Sequence, residues 1–320
     1  MEKFIFSIPD ANSCSPVLNT VNVRLLNWSV LEAMKLHKEW FYDDFVIETA
    51  YGCPSSCKWN GNRYLEEMEE YDESWAKNVL GMYAEHGVKY RLTFTNFLLK
   101  PEHLRDPVGN AVAKAVSKAG GYVMVSTWLM AKHMARYPGL EVNWSTTTDF
   151  GKTTQKQIEK INQLSEKQLV VLPYEFNNKP ELKQFTNPQN LEVLVNEPCI
   201  DNCPKRREHW TSVNKVILGH VGAKNIIAKL ECYFAQQYVD GKRRKHHILR
   251  PMLKEYQEMG INHFKISGRV IPSLALGSYE HYFVKEENIP KFREFIDRFL
   301  MNFQTNLEND LASRGGSKNG

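Results

Sequence analysis

Eight short runs rich in β-branched and aromatic residues recur along this chain, and segments of helical period separate them. The runs are Phe4–Ile8, Phe45–Thr49, Tyr90–Thr95, Tyr122–Ser126, Glu141–Thr146, Leu169–Pro173, Leu191–Asn196 and His263–Ser267. Most are bounded by Gly, Pro, Asn or charged residues, which favour turns and so end strands. Between them the apolar period becomes helical: Val112, Ala115, Val116 and Ala119 fall at i, i+3, i+4 and i+7. Leu249, Met252, Leu253 and Tyr256 repeat that spacing, as do Phe292, Phe295, Ile296 and Phe299. Strands that alternate with helices pair in parallel, and eight of them close into a barrel filled by its own side chains. The expectation is an α/β fold, a single (β/α)8 TIM-type barrel over residues 1–305 with a flexible tail over 306–320. A doubly wound open sheet is the alternative.

The 320 residues, 42% of them hydrophobic and 12% aromatic, are enough to bury one large core without a second domain. Lys and Arg number 41 against 37 acidic residues, so a net charge of +4 does not demand nucleic acid or membrane as partner, while an anionic substrate stays compatible. No window is apolar enough to cross a membrane, and a cytoplasmic protein is expected. In a reducing compartment the six cysteines read as core fillers, metal ligands or nucleophiles rather than disulfides. Neither a Gly-x-Gly-x-x-Gly nor a Walker loop is present, which disfavours nucleotide binding by those routes.

Barrel enzymes take their catalytic groups from the C-terminal strand ends, and here those ends are polar. Lys265 closes the eighth run and is expected to point into the barrel mouth. A lysine there is costly unless paired or functional. Glu197 and Glu48, each at or near a strand end, are the candidate general bases, and a Lys265–Glu48 ion pair is the structural alternative. Asn96, Asn196, Trp59, Arg63, Arg207 and Arg269 are the candidate substrate-binding residues. Trp59 would stack on a planar group, and the arginines would grip a carboxylate or phosphate. A turn role for Asn96 and plain packing for Trp59 are the duller readings. The basic run Lys242–His247 reads as a solvated loop or helix start, or as a contact for phosphate or RNA backbone. His133, His220, His246 and His247 have no evident partner in the sequence.

Five of the six cysteines fall at predicted strand ends or just above them. Cys199 and Cys203 leave the seventh run, with His209 close behind and Cys232 farther on. Zinc would be satisfied by Cys199, Cys203, Cys232 and His209. A [4Fe–4S] cluster prefers four thiolates and would need Cys57, Cys53 or Cys14 as well. Buried, inert thiols are the third reading. The Cys-x3-Cys-x2-Cys spacing of radical adenosylmethionine enzymes is missing, since Arg206 stands where the third cysteine would be.

Cys199-x3-Cys203 after a strand, together with Gly260-Ile261-Asn262-His263-Phe264-Lys265-Ile266-Ser267-Gly268-Arg269, resembles the collagenase-like peptidase family. That family includes the oxygen-independent hydroxylases of ubiquinone precursors and RNA. The resemblance covers mainly residues 191–269. It implies a barrel core and, in the hydroxylase branch, an iron-sulfur cluster held by four cysteines, here Cys199, Cys203, Cys232 and one of Cys57, Cys53 or Cys14. The expected substrate is an anionic or aromatic small molecule or an RNA base. Two alternatives stay open: a barrel braced by a Cys3His zinc, similar in logic to the tRNA-guanine transglycosylases, and a barrel that binds without catalysis.

Overall fold

A computed structural model describes residues 2–11, 22–61, 71–220, 244–268 and 272–315. Eight parallel strands close into a barrel in sequence order: β1 (Phe4–Pro9), β2 (Phe45–Gly52), β3 (Lys89–Phe94), β4 (Tyr122–Val125), β5 (Glu141–Trp144), β6 (Val170–Val171), β7 (Leu191–Leu194) and β8 (His263–Lys265). Pairing of β1 with β8 completes the circle, Phe6 lying opposite Phe264 and Ser7 opposite Lys265. The architecture is therefore the (β/α)8 barrel, and each of the eight runs supplies one strand.

Helices surround the strands: α1 (Val23–Leu36), α2 (Glu73–Trp75), α3 (Gly81–Glu85), α4 (Pro107–Lys118), α5 (Trp128–Met134), α6 (Thr154–Ser165), α7 (Arg206–Ile217), α8 (Leu253–Glu258), α9 (Pro272–Phe283) and α10 (Ile289–Gly315). Their starts are written locally. Asn22 caps α1 by accepting from the Leu25 N–H at 2.8 Å, and Asp106 caps α4 by accepting from the Gly109 N–H at 2.9 Å, with Pro107 opening the helix. The main core lies between barrel and helices, where Phe6 and Phe45 both pack on Phe283 of α9 at centroid distances of 5.0 and 4.5 Å. The last helix carries the Phe292–Phe299 stripe and runs to Gly315.

One irregularity decides which side chains enter the barrel. Phe6 pairs with Ile47 but Ser7 pairs with Thr49, so Glu48 is the extra residue of a β-bulge in β2. Strict alternation would place Phe45, Ile47, Thr49 and Tyr51 on one face. The bulge breaks that phase: Phe45 joins the outer aromatic layer, whereas the Thr49 hydroxyl donates to Ser7 Oγ inside at 2.8 Å.

The barrel interior is held by an ion pair across its width. The guanidinium of Arg91 on β3 donates to both carboxylate oxygens of Glu192 on β7, each at 2.8 Å, and Ser7 on β1 adds a hydrogen bond at 2.6 Å. Such a bond between nearly opposite strands must run through the lumen. Arg91 is 1% exposed and Glu192 fully buried. Burial works to raise the Glu192 pKa, but Arg91, Lys265 and the Ser7 hydrogen bond prevail and hold it at about 2.

Two outcomes follow from this pair. Arg91→Met leaves a buried carboxylate without its main partner, so chemical denaturation should show a loss of about 3–5 kcal/mol. The double variant Arg91→Met/Glu192→Met should recover at least half of that loss; equal instability of both variants would contradict the assignment. With a pKa near 4.5 unfolded and about 2 folded, Glu192 stabilises the fold fully above pH 4.5. That contribution, roughly 3 kcal/mol, should disappear as pH falls from 4.5 toward 2. The acid limb of the stability curve should flatten in the double variant.

Candidate active site at the C-terminal mouth

Strand ends and the loops just beyond them build a cavity of about 70 Å³ at the C-terminal mouth of the barrel. Lys265, the last residue of β8, lines it and is 6% exposed. Its ammonium lies 3.4 Å from the centroid of the Tyr51 ring and 3.9 Å from the Glu192 carboxylate. Tyr51 is itself fixed, because its hydroxyl donates to the Ile266 carbonyl at 2.6 Å. The lysine is thus held between an aromatic face and the buried carboxylate, an arrangement that stabilises a cation away from water.

The walls differ in chemistry. On one side, strand ends β4 and β5 raise a hydroxyl cluster: Thr147 lies 2.5 Å from Ser126 Oγ and 2.9 Å from Ser145 Oγ. Facing it, Glu197 beyond β7 is 3% exposed and accepts from Ser267 Oγ at 3.3 Å. Met124, Val171 and Leu194 supply an apolar patch to the lining. Trp210 of α7 also lines the cavity, and the Arg206 guanidinium lies 4.4 Å from its ring and 4.0 Å from that of Tyr174. Glu175 holds Arg206 through two contacts of 2.8 Å.

The main chain of Glu197 is pinned from outside. Its carbonyl accepts from Nε2 of His246 at 2.8 Å and of His247 at 3.0 Å, and a carbonyl only accepts, so both Nε2 atoms carry protons. Nδ1 of His246 meets Asp201 at 2.5 Å, and the ring lies 4.3 Å from that of Tyr174. Burial works against ionisation of Asp201, yet its contacts with His246 hold the carboxyl below its usual pKa. Asn177 and Asn178 tie down the carbonyls of His246, Lys245 and His247. The described part of the basic run, from Arg244 to His247, is therefore docked against the β7 loop, and His246 is buried rather than solvated.

Lys265 and Glu197 thus meet at one cavity as expected from their strand ends, but several candidates do not. Glu48 is corrected: as the bulge residue it lines the opposite, N-terminal mouth, and the carboxylate near Lys265 is Glu192. Trp59 is fully buried, donates to the His103 carbonyl at 2.7 Å, and packs edge-on against Phe94 and His133. Its ring presses on Gly109 so closely that a Cβ there would come within 2.5 Å of it, so it stacks on the protein and not on a substrate.

Asn96 is spent on the loops, donating to the Lys58 carbonyl at 3.2 Å and accepting from the Leu98 N–H at 3.1 Å. Asn196 ties β7 to β8 through both backbone groups of Ser267 and reaches Ser278 Oγ at 2.7 Å. Neither residue lines the C-terminal cavity. Arg207 is exposed, stacks 4.1 Å from the Phe97 ring and donates to the Thr147 carbonyl at 3.3 Å, close to the hydroxyl wall. Arg63, Arg269, Lys242 and Arg243 lie outside the described residues.

Cys199 and Cys203 are partly exposed free thiols on the loop that leaves β7, while Cys53 and Cys57 are buried in the main apolar core. Cys14 and Cys232 lie outside the described residues, and His209 is half-buried on α7. Among the described residues no group of three or more His, Cys, Asp or Glu side chains could hold a metal. They therefore supply two rim thiols toward the expected ligand set, and Cys57 lies apart from these two in the main apolar core. Arg91, Glu192, Arg206 and the Asp201–His246 pair had no local signal, since each acquires its role from a residue 31 or more positions away.

No protein-family description and no curated protein matches this chain. Among solved structures, a U32 peptidase aligns over 84% of this chain and 94% of its own at 13% identity and a TM-score of 0.48. An HpcH/HpaI aldolase from Desulfitobacterium hafniense aligns over 87% and 90% at 12% identity and a TM-score of 0.31. Likeness at these identities concerns the fold alone, so no residue role is carried over from either.

Proposed function

We propose that this protein is an enzyme working at the C-terminal mouth of its barrel on a small anionic or aromatic molecule. The observation that carries the reading is a buried lysine and a buried glutamate, Lys265 and Glu197, lining one cavity. Charged groups are kept in such settings at an energetic cost, and clefts that hold them are where catalytic groups concentrate. Lys265 would receive an anionic group and steady negative charge that develops on it. Glu197 would take or return a proton, its main chain held still by His246 and His247. The hydroxyls of Ser145 and Thr147 would accept or donate to the polar edge of the substrate, and Trp210 would offer a flat face to a ring.

The hydroxylase branch is the finer form of this proposal, and what favours it is that the loop carrying Glu197 also presents Cys199 and Cys203. An iron-sulfur cluster there would supply one-electron chemistry; a zinc would brace the loop. Metal analysis after anaerobic purification separates these forms. Iron with broad visible absorbance, lost in Cys199→Ser/Cys203→Ser, is expected, whereas one zinc without colour supports the bracing role.

The mouth itself is tested by thermal denaturation with benzoate, and with benzamide as its uncharged counterpart. At ten times Kd benzoate should stabilise the protein by roughly 1.4 kcal/mol, a few degrees in Tm for a chain of this size, and benzamide should not. Lys265→Met should remain folded and lose the benzoate shift. An equal shift in that variant would remove Lys265 from the proposal.

A further inference from the structure

Arginine can hold a carboxylate through one edge of its guanidinium, where the Nε and Nη2 hydrogens point the same way and match the two oxygens. This chain uses that edge twice. Arg24 Nε and Nη2 reach Asp10 at 3.0 and 2.8 Å, and Arg293 Nε and Nη2 reach Glu280 at 2.6 and 2.8 Å. Arg206 is bound differently. Both of its contacts with Glu175 are made by Nη1, and among the described residues no hydrogen bond occupies its Nε–Nη2 edge. Nor is that edge sealed inside the fold: Arg206 keeps 8% of its side-chain surface, lines the C-terminal cavity, and has no atom among the buried polar atoms left without a partner.

The surroundings fix how the edge is presented. The guanidinium lies between the rings of Tyr174 and Trp210, 4.0 and 4.4 Å from their centroids, and Glu175 anchors it at Nη1. With both faces covered and one nitrogen held, the group has little freedom left to lose when a ligand arrives. An acceptor on the open edge must then lie close to the guanidinium plane, flanked by the two rings. A planar carboxylate meets that condition with both of its oxygens. A tetrahedral anion does so with two oxygens only and turns a third out of the plane, toward an aromatic face whose charge is negative.

We infer that Arg206 is the specificity-determining residue of the C-terminal mouth, and that the group it selects, through its open Nε–Nη2 edge, is a carboxylate on a small molecule. The inference rests on the reading of that mouth as the ligand site and narrows the anion it takes. Lys265 attracts negative charge of any shape, whereas Arg206 distinguishes the shapes. The selecting edge is a tertiary product, since Arg206 opens α7, its anchor Glu175 follows β6, and 31 residues separate the two.

The experiment is isothermal titration of the full chain with benzoate and benzenesulfonate, which share a phenyl ring and a single negative charge and differ in the planar or tetrahedral shape of the charged group. Wild type should bind benzoate about tenfold more tightly. Arg206→Lys keeps the positive charge and loses the fork, so it should bring the two affinities within about twofold of each other through weaker binding of benzoate. Glu175→Ala, at a side chain 33% exposed, removes the anchor on Nη1 and should narrow the preference severalfold. Equal affinities in wild type, or a tenfold preference that survives Arg206→Lys, overturn the inference and leave the mouth as a ligand site. Failure of both anions to bind wild type removes the inference and the ligand site together. Benzoate binding unchanged in Lys265→Met, with the preference lost in Arg206→Lys, upholds Arg206 and discards the role given to Lys265. If Arg206→Lys does not fold, Glu175→Ala decides, and an unchanged ratio there overturns the inference.

Discussion

The Arg91–Glu192 pair is the constraint on which the rest of the barrel depends. A closed eight-stranded barrel has an interior just wide enough to be filled by side chains, and branched apolar residues usually fill it. Here a guanidinium and a carboxylate cross the lumen instead, with Ser7 and Thr49 hydrogen-bonded in sequence behind them. Burying two charges costs more than burying methyl groups, so such a pair is weak evidence for stability by itself. What it does is join strands across the lumen. Five strands, β1, β2, β3, β7 and β8, contribute to one connected polar group, counting Lys265 at 3.9 Å from Glu192. The same pair divides the lumen into two polar ends. Above it Lys265 faces the C-terminal mouth, and below it Arg91 and His263 face the N-terminal one.

Rigidity at the upper mouth comes from contacts that lie outside it. Glu197 is held through its main chain by two histidines, and His246 is held by Asp201, by the Tyr174 ring and by Asn177. Arg206 sits between the rings of Tyr174 and Trp210 and is clamped by Glu175. A carboxylate on a loop gains precision when the loop has little freedom left, because less ordering remains to be done when a substrate arrives. This explains why so many hydrogen bonds converge on a short segment after β7.

Several side chains with suggestive chemistry turn out to serve the fold. Trp59 looked like a stacking platform because it follows a strand end beside cysteines and asparagines, yet it fills the space between β3 and α4. Asn96 and Asn196 replace missing backbone partners where strands leave the sheet, which is the common fate of a buried amide. Glu48 is expected at the C-terminal mouth because its run ends at Thr49, but β2 continues to Gly52 and Glu48, the extra residue of its bulge, lines the N-terminal mouth. A bulge leaves no mark in composition or period.

The sequence by itself determined the number of strands, their order, the parallel barrel and the placement of Lys265 and Glu197 at one mouth. These follow from local physics: strand and helix periods, turn residues, and the rule that barrel strand ends share a rim. Only the tertiary structure decided which charges meet. Arg91 and Glu192 lie 101 residues apart, and Glu197 and His246 are joined across 49. Partnership between distant residues depends on barrel closure, on one inserted residue in β2 and on where a returning segment docks. No window of the chain contains both members of either pair.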